Sequence, residues 1–311
     1  MNILITGCAG FFGHNLASRI LQKYPMANIT GVDNLLSGKR DFLRNLEESE
    51  RFNFVEIDCR DLNQVEDLPV FNRIIHLAAN SDIAAAMTNP TIDYELGIQT
   101  THAMLEYARI HEVQEFVFSS GSGVYGEVPG KIFDENSFVG QPTSTYGATK
   151  LSSEALISAY SFMFGIKSTI FRFCNLVGKN QTHGVVFDFI HKLRLNQSEL
   201  DVLGNGTQTK PYIHLDDAIE GIFIALEKQT SKFEVFNVSN TTATAVKEIA
   251  EMVVKRVGNS NTQINYGSAD RGWKADIPNY LMSSKKLSNL GWKPNLNSIE
   301  AIEQSIEENL N

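Results

Sequence analysis

Residues 3–13 read Ile3-Leu4-Ile5-Thr6-Gly7-Cys8-Ala9-Gly10-Phe11-Phe12-Gly13, a short apolar run followed by glycines at every third position. The run has the length and branching of a strand buried on both faces, and the pattern beyond Gly13 is helical. At such a junction each glycine has a task. Gly7 permits a tight turn, Gly10 lets an anion approach the backbone, and Gly13 lets the helix pack close to the sheet. The helix start adds unpaired N–H groups and positive dipole. The stretch predicts a first βα unit with a pyrophosphate site at its turn.

Further apolar runs at 28–32, 53–57, 73–77, 115–119, 168–173 and 233–238 alternate with helical patterns at 13–24, 91–111, 147–165 and 216–228. That alternation predicts an α/β fold, a Rossmann-type doubly wound parallel sheet. Asp216-Asp217 reads as cap and first turn of its helix. Helical patterns at 185–195, 245–257 and 298–309 sit among loops rich in Gly, Asn and Pro. They predict a smaller, interrupted C-terminal substrate domain. The expected division is 1–174 with 211–240 for the dinucleotide domain, and 175–210 with 241–311 for the other.

Composition narrows the class. The 311 residues are 42% hydrophobic and 20% charged, an ordinary globular balance, and the formal net charge of −9 argues against a nucleic-acid partner. Cys8, Cys59 and Cys174 are widely spaced and form no CxxC pair, so no metal site is expected and a reducing cytoplasm fits best. His76, His183 and His214 have no ligand spacing and read as structural. The N-terminus lacks a basic leader and no run is long enough for a membrane span.

Asp33 follows the second strand, 20 residues past Gly13. A carboxylate there can accept from an adenosine ribose and repels a 2′-phosphate, which favours NAD over NADP. The plainer reading is a turn residue before Asn34. Asp58, closing the third strand, is open between an adenine contact and a turn or cap role. Tyr146 and Lys150 stand four apart at a helix start, hence on one face. An ammonium beside a phenol lowers the phenol pKa, so Tyr146 is expected to exchange a proton with a hydroxyl while hydride leaves the same carbon.

These motifs, with Val117-Phe118-Ser119-Ser120 leading into Val124-Tyr125-Gly126, resemble the extended short-chain dehydrogenase/reductase family, in particular its UDP-glucose 4-epimerase-like group of nucleotide-sugar enzymes. His76-Leu77-Ala78-Ala79-Asn80 is similar to the family's fourth-strand motif, whose backbone lies along the cofactor. Arg172-Phe173-Cys174-Asn175-Leu176-Val177-Gly178 is similar to the motif whose asparagine contacts the substrate diphosphate. Residues 203–210, ending in Lys210, resemble the loop near the nucleotide, Arg271 and Asp276 the late phosphate and ribose contacts, and 290–294 the closing segment.

The resemblance implies NAD as cofactor, held by Gly7, Gly10, Phe11, Phe12, Gly13, Asp33, Asn34, Asp58, Cys59, Leu77, Ala78, Ala79 and Ser119 together with Tyr146 and Lys150. It implies a nucleotide sugar held by Asn80, Ser120, Gly121, Ser122, Asn175, Lys210, Arg271 and Asp276. A homodimer through the helices around 93–110 and 147–163 is implied as well.

Two departures matter. Relatives usually carry Ser or Thr where this chain has Gly121, and some epimerase-like relatives have glycine there; the bridge to the phenol is then a water, a neighbouring serine or the substrate itself, with Ser122 the candidate third catalytic residue. Dehydratase relatives place Asp or Glu directly after that position, where this chain has Ser122-Gly123. Lys210 also replaces a frequent arginine and loses its bidentate fork. The expected activity is an NAD-dependent 4-epimerase of a UDP-hexose or UDP-N-acetylhexosamine working through a transient 4-keto sugar. A 4-dehydrogenase releasing a keto sugar on UDP or GDP is the alternative, and a dinucleotide sensor without turnover a third. The aromatic run 162–164 is expected to pack within its helix layer.

Overall fold

The computed structural model describes residues 1–310 apart from Ala84 and Pro129. Seven strands form the central sheet: β1 (Asn2–Thr6), β2 (Asn28–Asp33), β3 (Phe52–Glu56), β4 (Arg73–His76), β5 (Glu115–Gly121), β6 (Lys167–Phe173) and β7 (Phe233–Val238). Their order is β7-β6-β5-β4-β1-β2-β3, with β1 parallel to both β2 and β4. The chain therefore winds one way through β2 and β3 and the other way through β4 and β5. The reversal lies between β1 and β4, where open sheets of this kind take ligands at the carboxyl ends.

The helices that position the site are α1 (Phe11–Lys23), α2 (residues 91–110) and α3 (Thr145–Phe164). Met104 and Leu105 of α2 and Ile157 of α3 bury against Leu4, Ile74, Phe116 and Phe118 of the sheet. Residues 91–111 were expected as a uniform helix. Instead Tyr94–Gln99 wind as a wider π turn before ordinary winding resumes at Thr100. The Thr100 and Thr101 hydroxyls donate to the Leu96 and Gly97 carbonyls within that turn.

Two compact units emerge: Met1–Val124 with Thr145–Arg172 and Leu226–Phe236, and Tyr125–Ser144 with Phe173–Ala225 and Asn237–Asn311. The second holds its own core, where Phe189, Leu193, Leu200, Ile249, Val253 and Ile302 pack together. The division departs from the sequence boundaries at 125–144 and 211–225, and pairing explains both. Ile132–Phe133 pairs with Leu281–Met282. Asp217 does not cap its helix, which runs Leu215–Lys228; its buried carboxylate accepts from the Asn295 and Leu296 N–H groups, and its carbonyl from Trp292 Nε1. The Asp216 N–H is met instead by His214 Nδ1 at 3.3 Å.

Of the run Phe162-Met163-Phe164, Phe164 packs as expected, its ring edge-on to Tyr160 with the Arg109 guanidinium over it, and the other two do not. Phe162 is 92% exposed at the last turn of α3. Among the described residues, no helix is long and apolar enough to cross a membrane.

Candidate active site

The glycine turn joins the carboxyl ends of β1 and β4. Gly7 has φ of +68°, and a β-carbon there would stand 2.8 Å from Ala78 N. A β-carbon at Gly13 would stand 2.2 Å from Gly7 O, so the first turn of α1 packs directly on the loop. Gly10 differs: a β-carbon there would meet only Gly7 O, at 3.2 Å, leaving bare backbone on that side. Phe11 is buried and Phe12 half-buried in the turn that follows.

Thr6 ties the two strand ends together. Its hydroxyl accepts from the Leu77 and Ala78 N–H groups at 3.1 and 3.2 Å and has its proton left for His76 Nδ1 at 2.7 Å. His76 Nε2 then donates to Thr101 at 3.2 Å. Burial drives His76 down to about 3, so it stands neutral and structural. His214, against Glu308 and the Asp216 N–H, is likewise engaged in structure.

At the end of β2 the Asp33 carboxylate accepts from Ala9 N at 3.0 Å and Leu35 N at 2.9 Å. It is a turn residue and also braces the glycine loop, and burial raises its pKa. The Asp58 carboxylate, open between an adenine contact and a turn role, serves the turn, where it accepts from Arg60 N at 2.9 Å. Arg60 Nε and Nη2 and Asn34 Nδ2 all donate to it, and Arg60 holds it down at about 2. Asn34 is thus a brace between strand ends. Cys59 turns into the core, its thiol pushed up to about 12 by burial.

Tyr146 and Lys150 lie on the first turns of α3. The Lys150 side chain is buried; its Nζ donates to Ser119 O at 2.6 Å and stands 5.7 Å from the centre of the Tyr146 ring. The acidified phenol expected from the spacing is not what the chain produces alone. Burial, then the Asp93 carboxylate, push Tyr146 up to about 12, while burial brings Lys150 down to about 8. Asn80 is not directed to a ligand by its amide, which is spent on Asp82 and Asp93. Ser120 points inward and donates to Glu154 at 2.5 Å. Gly121 and Ser122 remain half-buried at the strand end, and a β-carbon at Gly123 would lie 3.3 Å from Gly147 Cα, against the start of α3.

In the second unit the expected diphosphate ligands are paired with carboxylates. Lys210 Nζ bonds Asp276, whose other oxygen accepts from Gly272 N at 3.0 Å. Arg271 spans Glu127, with Nη1 and Nη2 each 3.3 Å from a carboxylate oxygen. The Asn175 amide donates to Pro211 O and Tyr280 Oη, both at 3.0 Å.

Comparison with known proteins places this geometry. Residues 3–239 match the model of the NAD-dependent epimerase/dehydratase family. The chain belongs to that family. It is 32% identical to an uncharacterized UDP-glucose epimerase of Bacillus subtilis, over 81% of each chain. It is 28% identical to the UDP-glucose 4-epimerase of Thermotoga maritima, solved with UDP-glucose, covering 99% of this chain and 98% of that one with a TM-score of 0.88. It is also 25% identical to human dTDP-D-glucose 4,6-dehydratase, over 98% of this chain and 89% of that one.

Family membership makes the chain an NAD-dependent enzyme of nucleotide sugars. The residues fit the cofactor: the bare backbone at Gly10 heads α1, and a carboxylate stands where ribose hydroxyls donate. Sequence reasoning missed the buried partners behind the site. Arg172 lies in a strand whose other residues from Ser168 on are buried and uncharged, a signal that a carboxylate must meet it, and Glu154 does so at 2.6 Å. Asp93, which accepts from Asn80 and Thr145, carried no such signal.

Proposed function

We propose that this enzyme inverts C4 of a UDP-linked hexose or N-acetylhexosamine through a transient 4-keto sugar. The packing of Gly123 on Gly147 carries the choice of epimerase over dehydratase. Eliminating water across C5 and C6 requires an added acid and base in this loop; of the two positions after Gly121, Ser122 is no acid, and Gly123 holds no side chain and has little room for one.

Tyr146 exchanges the proton at the sugar O4. With Gly121 in place of a hydroxyl residue, it reaches O4 directly or with Ser122. Its raised pKa keeps the phenol protonated in the chain alone, which suits it to return a proton, and the Lys150 cation favours the phenolate needed to take one. Bound NAD supplies a hydride acceptor and donor, and the positive charge of its oxidised ring favours the phenolate further. The Gly7–Gly13 turn, Asp33 and the Leu77–Ala79 backbone would hold it. Lys210 and Arg271 would exchange their carboxylate partners for the diphosphate.

A homodimer through α2 and α3 belongs to the same reading. It is supported by apolar side chains left outward on both helices, Tyr94 and Ile110 on one and Phe162 and Met163 on the other.

Incubation with UDP-glucose, UDP-galactose and their N-acetyl forms, followed by separation of the products, tests the activity. Interconversion of one pair is expected. A 6-deoxy-4-keto product, or a keto sugar released with stoichiometric reduced nicotinamide, would replace this reading.

A further inference from the structure

Behind the Tyr146–Lys150 pair lies a charge cluster that neither residue touches in the catalytic sense. Glu154 stands one helical turn beyond Lys150, on the same face of α3. Its carboxylate accepts from Arg172 Nε at 3.0 Å, Arg172 Nη2 at 2.6 Å and Ser120 Oγ at 2.5 Å. Ser120, Glu154 and Arg172 are 3%, 5% and 4% exposed, so the cluster is sealed from water and joins β5, α3 and β6.

A carboxylate at this spacing from a buried ammonium has an obvious alternative, direct pairing with Lys150. That would draw Nζ off Ser119 O and away from Tyr146. The Arg172 fork prevents it, because a bidentate guanidinium fixes the carboxylate plane, while Ser120 takes a further lone pair. Glu154 therefore acts on Lys150 through its field without binding it.

The groups facing Lys150 are His76 of β4, Tyr146 and Glu154 of α3, the Phe118 ring of β5, 4.8 Å from Nζ, and Arg172 of β6, committed to Glu154. His76 is neutral, so it neither repels nor supports the ammonium in the working pH range.

We propose that Glu154, locked by Arg172 and Ser120, is a positioning residue that keeps Lys150 charged while leaving its ammonium on Ser119 O beside Tyr146. The direction of the Lys150 shift agrees: burial lowers it to about 8, and Glu154 is the group opposing that fall. The inference rests on Tyr146 and Lys150 handling the proton of the proposed reaction.

The test reads Lys150 itself. Protein carrying lysine labelled with 13C at Cε is titrated by NMR, the Lys150 signal being assigned by its loss in Lys150→Arg. Glu154→Gln strands a buried guanidinium and lowers the melting temperature, so the decisive variant is Glu154→Gln/Arg172→Gln, which removes both charges. Its Lys150 midpoint is expected to fall by about one pH unit. Turnover near pH 8 would then drop about fivefold, with the alkaline limb of kcat moved to lower pH and KM unchanged.

A folded double variant with an unmoved midpoint overturns the proposal. The titration needs no substrate, so it separates the two readings. A shifted midpoint in a chain that epimerises nothing would sink the proposed function alone, and an active epimerase with an unmoved midpoint would sink this inference alone.

Discussion

The two compact units hold their charges differently. In the first unit the charged groups are fixed by buried partners: Asp33 by backbone N–H groups, Glu154 by Arg172 and Ser120, Lys150 by the Ser119 carbonyl. In the second unit the cations are matched to carboxylates that are not ligands for an anion, Lys210 to Asp276 and Arg271 to Glu127. The first arrangement is preorganised, each charge held in place by its own partners. In the second, Lys210 and Arg271 would each have to leave a carboxylate to meet a diphosphate as the proposed function requires. Under the proposed function, the fixed charges of the first unit would suit NAD and the exchangeable pairs of the second a nucleotide sugar.

Mutations can break that contrast in order of expected effect. Tyr146→Phe should lower kcat by about 10²–10⁴-fold, the range for losing a positioned acid–base group, with NAD content of the purified protein unchanged. Near-normal rates would remove Tyr146 from the proton transfer. Gly13→Ala forces its β-carbon to within 2.2 Å of Gly7 O unless the backbone moves. A loss of about 1–3 kcal/mol or more in urea unfolding is expected, together with weakened NAD retention; a variant as stable as the parent would show that the turn is pliable.

Asp33→Ala should erode the preference for NAD over NADP by roughly 10–100-fold, the worth of hydrogen bonds to a charged acceptor. An unaltered ratio of affinities would reduce Asp33 to its turn role. The smallest effect tests the exchangeable half. Glu127→Gln releases Arg271 from a pair that is about one-third exposed, so affinity for UDP in calorimetric titration should rise by about two- to fivefold. No gain would mean that Arg271 does not face the diphosphate.

Much of the first unit was legible because its information is periodic. Seven apolar runs each became a strand of the central sheet, and the Tyr146–Lys150 spacing placed both side chains on one helix face. What escaped was pairing between residues far apart in the chain. Asn34 with Asp58, Lys210 with Asp276, and Glu127 with Arg271 have no spacing to announce them. The phenol shows the same limit: four residues from a lysine suggests acidification, but burial and Asp93, arriving from another helix, push the other way. At 162–164 an apolar run read as helix packing packs only through Phe164, while Phe162 and Met163 are exposed.

The π turn at Tyr94–Gln99 bears on how this stretch can vary in length. Deleting one residue there would restore regular winding and leave the two parts of the helix close to their present orientation, because a π turn takes up one extra residue within a helix. Thr101 would then stay on His76, and with it would stay the ring that receives the Thr6 proton and the Leu77 and Ala78 amides behind it. The π turn can therefore lose its surplus residue, whereas a deletion in the regular winding that resumes at Thr100 would rotate the residues on either side of it by about 100° and have to be balanced by an insertion close by.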